Sequence, residues 1–180
     1  MTAPQSGSAP AENKFRAVDV LRMLAARDWL SDEPSPEQSA WAERAAALLG
    51  AKSADSAALN DLLWLIFHYD AQEILGTMEA HMVMSRYAAR DVIRKLANQL
   101  LDPAPLTTER FNEIVDALKS QLDIRGRELF HPLRLALAGR SGEGELDRVI
   151  LLLDGAAAAN FPVAVKSSRA RLIEFCSALG

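Results

Sequence analysis

Apolar residues recur at intervals of three and four along nearly the whole chain, and β-branched runs in strict alternation are absent. That period winds an apolar stripe onto a helix and does not suit a half-buried strand, so the sequence predicts an all-α fold. The stripe is plainest where Phe111, Ile114, Val115, Leu118 and Leu122 share one face behind Thr107, whose hydroxyl can cap a helix. Ser35-Pro36-Glu37-Gln38 opens another helix: the serine caps, the proline lacks the N–H that a first position would leave unpaired, and the glutamine returns a bond to the cap. Gly50 ends it. Residues 14–26 read as the first helix and 56–68 as one apolar around most of its circumference, while Asp70 caps a further start with Glu73 placed to reciprocate. Val83, Met84, Tyr87, Ala88, Ile93, Leu96, Ala97 and Leu100 predict one long helix over 79–101, closed by Pro103 and Pro105. A short helix is expected from Pro132 to a left-handed stop at Gly139, another around Leu146, Val149, Ile150 and Leu153 closing at Gly155, and a last over 169–179.

A chain of 180 residues, 49% of them hydrophobic, can bury a core without staples. Its single cysteine, Cys176, excludes an internal disulfide; it reads as a buried, inert thiol, and a cytoplasmic setting is the simpler expectation. No stretch reaches the ~18 apolar residues of a membrane span, so no membrane partner is expected. Residues 1–13 lack the basic start and apolar segment of a signal peptide and read as a disordered tail. The net charge of −4 does not advertise a nucleic-acid partner as a strongly basic domain would, and no DNA partner is expected. Its distribution tilts: residues 121–180 hold 8 basic and 7 acidic side chains, whereas 61–120 hold 6 and 9, which places any anion-binding face toward the C-terminal end.

No catalytic constellation emerges, and neither a metal nor a cofactor is expected. His68, His81 and His131 contain no pair at the four-residue spacing that sets two imidazoles on one helix face. The glycine-rich stretch 139–144 carries an acid and follows no strand, unlike a phosphate cradle. Met78, Met82 and Met84 read as core filling rather than as an adaptable binding surface. Arg86, Arg90 and Arg94, four apart, form a basic ridge on the predicted long helix; it either tracks a phosphate backbone or is a solvated face countered by Asp91.

The most specific stretch is Arg125-Gly-Arg-Glu-Leu-Phe-His-Pro-Leu-Arg-Leu-Ala-Leu-Ala-Gly-Arg140. It resembles a signature of the C-terminal, anticodon-binding region of bacterial class I glutamyl-tRNA synthetases: a glycine and a basic residue, a short apolar turn, Pro-Leu-Arg, and an apolar helix ending in Thr-Gly-Arg or similar. Phe67-His-Tyr-Asp70 resembles the aromatic and acidic stretch opening that region, and the helix around Leu146 to Leu153 resembles the family's next one. The resemblance is strong over 106–155 and fair over 65–105. Neither nucleotide-binding motif of the synthetase catalytic domain, the His-Ile-Gly-His-like or the Lys-Met-Ser-Lys-Ser-like one, occurs; residues 165–169 are only faintly like the second.

The resemblance implies a bundle of two small packed helical subdomains, over 65–123 and 124–180, preceded by a helical extension over 14–64. It implies a non-catalytic tRNA-binding module, with glutamate-specific tRNA as its RNA and a separate catalytic synthetase or other protein as its partner. Arg134 matches the arginine of Pro-Leu-Arg on the anticodon-reading surface, where a guanidinium can stack on a splayed base and bond its edge. Alternatively it bonds helix-terminal carbonyls between the subdomains. Leu146 matches a leucine packing near the anticodon, or belongs to the core. Arg125, Arg127 and Arg140 are candidate phosphate contacts, a role blind to sequence. Glu143 and Gly144 stand where the family has threonine or serine and proline. An acidic turn opposes phosphate, which keeps open a second reading, a helical protein-interaction domain that retained the fold without RNA binding.

Overall fold

The computed structural model describes residues 13–180, and among these residues all regular structure is α-helical. α1 (Ala17–Ala26) and α2 (Pro36–Gly50) pair, and α3 (Ser56–Phe67) follows. The short α4 (Ala71–Leu75) and α5 (Met78–Met84) lead to α6 (Ala89–Gln99) and α7 (Thr108–Leu122), and α8 (Arg127–Ala138), α9 (Gly144–Ala158) and α10 (Ser168–Leu179) end the order. α8 is the hub. It buries every residue from 132 to 138 and packs against α5, α6, α9 and α10, while α9 in turn carries α2 and α3. One connected apolar core therefore reaches from Val20 and Leu24 on α1 to Phe175 on α10, across all three segments expected from sequence. Of the expected tail over 1–13, only Asn13 is among the described residues; its side chain donates to the Ala46 carbonyl at 2.9 Å.

The helix ends follow local chemistry. Ser35 Oγ accepts from the Gln38 N–H at 3.1 Å and the Gln38 side chain accepts from the Ser35 N–H at 3.0 Å, the reciprocal box predicted for α2. Thr107 caps α7 through the Arg110 N–H, and Gly139 closes α8 at φ +84°, where a side chain would be strained. Asp70 caps α4 twice over, but Glu73 does not return the bond; its carboxylate meets the His68 ring at 2.9 Å.

Packing corrects five expectations. The long helix over 79–101 is two, α5 and α6, separated at residues 85–88, where Ser85 Oγ bonds back to the Met82 carbonyl at 2.9 Å. Tyr87, placed on the predicted apolar stripe, consequently lies fully exposed. Met78 and Met82, expected to fill the core, are 76% and 62% exposed; only Met84 packs against it. α8 starts at Arg127 rather than Pro132, which sits inside the helix; the carbonyl that its missing N–H strands belongs to exposed Glu128, where water can reach it. Finally, α9 runs through Gly155. That glycine is a packing residue: a Cβ there would lie 3.2 Å from Trp41 Cδ1, and the Trp41 indole donates to the Leu152 carbonyl of the same helix at 3.0 Å.

Arg171 on α10 locks the elements together. Entirely buried, it donates to the Leu65 and Ile66 carbonyls at 2.9 and 2.6 Å and to the Leu137 carbonyl at 3.0 Å, with its guanidinium 4.7 Å from the centre of the Tyr69 ring. These carbonyls belong to the last turns of α3 and α8, which lack intrahelical donors. Desolvation lowers its pKa to about 10, which leaves it cationic at neutral pH. Bonding of helix-terminal carbonyls between segments, one of the two readings offered for Arg134, is thus performed by Arg171.

Candidate nucleic-acid interface

Of the predicted site residues, Arg125, Arg127, Arg134, Arg140, Leu146 and Arg86 gather around α8 and its two ends, while Arg90 and Arg94 lie on α6. Gly126, at φ +62°, admits the chain into α8, and the loop 139–143 turns it into α9. Arg134, 8% exposed, points into that elbow. Its Nε and Nη2 donate to the two carboxylate oxygens of Asp147 at 2.8 and 2.9 Å, its Nη1 donates to the Gly142 carbonyl at 3.0 Å, and its guanidinium lies 4.7 Å from the Phe130 ring centre. A forked pair of this kind fixes both orientation and charge. Leu146, 3% exposed, belongs to the core, and Gly142 is where it passes: a Cβ there would fall 2.7 Å from Leu146 Cδ1. Glu79 on α5 accepts from both the N–H and the hydroxyl of Ser141, so the elbow is held from two sides.

The remaining arginines of the motif face outward. Arg125 and Arg127 are exposed at the entry to α8 and Arg140 at its exit, one helix length of roughly 20 Å away. Arg86 joins the entry group, its Nη1 2.9 Å from His131 Nδ1 and 3.5 Å from the Arg127 carbonyl. Burial, then the nearby Arg86, Arg127 and Arg134 charges, hold the His131 ring below its ordinary pKa, so the imidazole is disposed to stay neutral and accept from Arg86. The expected ridge is therefore split. Arg86 precedes α6 and turns to α8, whereas Arg90 and Arg94 stand exposed on α6, Arg94 3.7 Å from Asp91. Sequence reasoning missed Tyr87, which the break at 85–88 exposes, and Arg171. The latter had a signal: it occupies the stripe of Ser168, Leu172 and Phe175, where a cation needs partners.

The residues faintly like a nucleotide-binding loop are structural. Ser167 caps α10, Ser168 bonds Asp154, and Lys166 donates to the Tyr69 carbonyl and pairs with Glu174 at 2.7 Å. Among the described residues no group of His, Cys, Asp or Glu is arranged to hold a metal ion, and no helix is long and apolar enough to cross a membrane. Cys176 is half-buried, which raises its thiol pKa.

Among the described residues the protein is thus a helical bundle around α8, with arginines exposed at both ends of that helix. The anticodon binding domain family matches residues 20–154, three quarters of the chain, and the chain belongs to that family. It is similar to the glutamate–tRNA ligase of Exiguobacterium sibiricum, 27% identical over 124 residues that make up 69% of this chain and 25% of the relative. The glutamate–tRNA ligase of Bacillus pumilus is 26% identical over the same shares, and glutamate–tRNA ligase 2 of Coxiella burnetii is 32% identical over 37% of this chain and 15% of its own. The chain thus spans about a quarter of the length of the first two. No solved structure matches it significantly.

Proposed function

We propose that this chain is a tRNA-binding module of the anticodon-binding kind, not itself catalytic, that serves aminoacylation in the cytoplasm beside a separate synthetase and takes glutamate-accepting tRNA. The observation that carries the reading is the α8–α9 elbow inside the matched stretch, with Arg140 exposed beside it and Arg125, Arg127 and Arg86 at the other end of α8. These arginines hold phosphates. Arg134 and Leu146 act from beneath, the first by fixing the elbow through Asp147 and Gly142, the second by filling it. Arg90 and Arg94 extend the basic surface along α6.

A titration with total tRNA and with a glutamate-specific transcript, across a salt series, tests this. Expected is saturable binding that prefers the glutamate transcript, with log affinity falling against log salt by about 0.7 per neutralised single-strand phosphate. Arg127→Ala together with Arg140→Ala, both exposed, lowers affinity and flattens that slope. Two features favour the second reading, a protein-interaction domain: the net charge of −4 and the engagement of Arg134 by Asp147. Absence of saturable tRNA binding decides for it.

A further inference from the structure

Tyr87 is fully exposed at the corner between α5 and α6, so its ring contributes nothing to the core. It borders a cleft whose other walls include Arg86, Asp91, Ile124 and Glu128. Ile124 also lines a neighbouring shallow groove, which holds Lys119, Asp123 and Arg125. Arg86 is positioned at the cleft by His131 and the Arg127 carbonyl, neither of which neutralises its charge. An exposed ring beside a cleft with cations within reach is an arrangement that holds single-stranded nucleic acid: the ring stacks a base, and the cations meet the backbone.

The cleft also carries carboxylates. Asp91 stands 3.7 Å from Arg94, and Glu128 is exposed in the first turn of α8. A phosphate is unwelcome between them, but the exocyclic amino group of cytosine or adenine is a donor that a carboxylate accepts, whereas uracil offers an oxygen at the corresponding place. We propose that Tyr87 is the stacking platform of a single-nucleotide site at the α5–α6 corner. The site takes an unpaired RNA base bearing an exocyclic amine, with Asp91 and Glu128 receiving the amine and Arg86, Arg125 and Lys119 flanking the backbone. This rests on the tRNA reading above and deepens it, by naming a base contact away from the α8–α9 elbow.

The experiment uses the full chain with labelled cytidine and uridine hexanucleotides and the glutamate tRNA transcript, read by fluorescence anisotropy. The cytidine strand should bind at least about fivefold tighter than the uridine strand. Tyr87→Ala should weaken both the cytidine strand and the transcript by roughly 5- to 100-fold, while Tyr87→Phe stays within about twofold of the parent, because the stacking face is kept. Asp91→Asn with Glu128→Gln should remove the preference for cytidine. All these positions are exposed, and an unchanged thermal midpoint confirms that the variants are folded. If the transcript binds but ignores Tyr87→Ala, or if uridine binds as well as cytidine, this site is overturned and the tRNA reading stands. If the parent protein binds neither transcript nor hexanucleotide, both fall.

Discussion

Cutting the Arg134–Asp147 pair tests how the elbow is built. The two side chains retain 10% and 24% of their exposure and share two short bonds, and a third Arg134 bond holds the Gly142 carbonyl. A solvated ion pair contributes at most about 1 kcal/mol, whereas breaking a fully buried one costs 3–5 kcal/mol, roughly, because the orphaned charge stays dry. The quarter exposure of Asp147 lets water re-enter, so Arg134→Ala should cost about 2–4 kcal/mol, including the Gly142 carbonyl and the contact with Phe130. At this chain length that lowers Tm by about 5–15 °C. Asp147→Ala should cost less, since Arg134 keeps Gly142, and the double variant should reveal a coupling of about 1–2 kcal/mol. Urea unfolding followed through the buried Trp29 and Trp41 measures all four corners of the cycle. A coupling below about 0.5 kcal/mol refutes the argument, because it would make the pair an ordinary surface contact. The result also governs how RNA binding by Arg134→Ala is read, since a loss must be measured well below the lowered midpoint.

Three further outcomes are expected. Arg171→Met removes the donors for the Leu65, Ile66 and Leu137 carbonyls and should cost about 3–5 kcal/mol in urea unfolding; a loss under about 1 kcal/mol would mean that water satisfies those helix ends. Gly155→Ala should realise little of the ~1 kcal/mol of helix propensity that the exchange normally brings, since its Cβ presses Trp41, and Gly155→Val should destabilise by about 2–3 kcal/mol. Because the His131 pKa is depressed in the folded state, the unfolded chain binds the proton more tightly; stability should fall as pH drops from the ordinary value of 6.5 toward the folded one, and His131→Gln should remove that component. A proton titration of the His131 ring by NMR giving a midpoint at or above 6.5 contradicts this.

The helix caps show how far the sequence alone reaches. Ser35 with Gln38, Thr107, Asp70 and Gly139 act on backbone groups within a few residues, so their type and spacing determine the helix ends before any packing is known. The stripe of α7 is equally local, and the Pro-Leu-Arg motif, legible as an ordered string, lies within the stretch that the family matches. Elsewhere distant contacts decide. Gly155 looked like a stop, yet the helix continues because Trp41, more than 100 residues earlier, needs a surface without a Cβ. The apolar spacing over 79–101 fits one helix, but α8 meets both α5 and α6, and the break at 85–88 bends the chain around it, turning Tyr87 and two methionines to solvent. Arg134 and Arg171 are the same residue type on neighbouring helices. Which carbonyls and carboxylates each one reaches depends on how α8, α9 and α10 cross, and a side chain's partner across a core is set by tertiary distance rather than by its place in the chain.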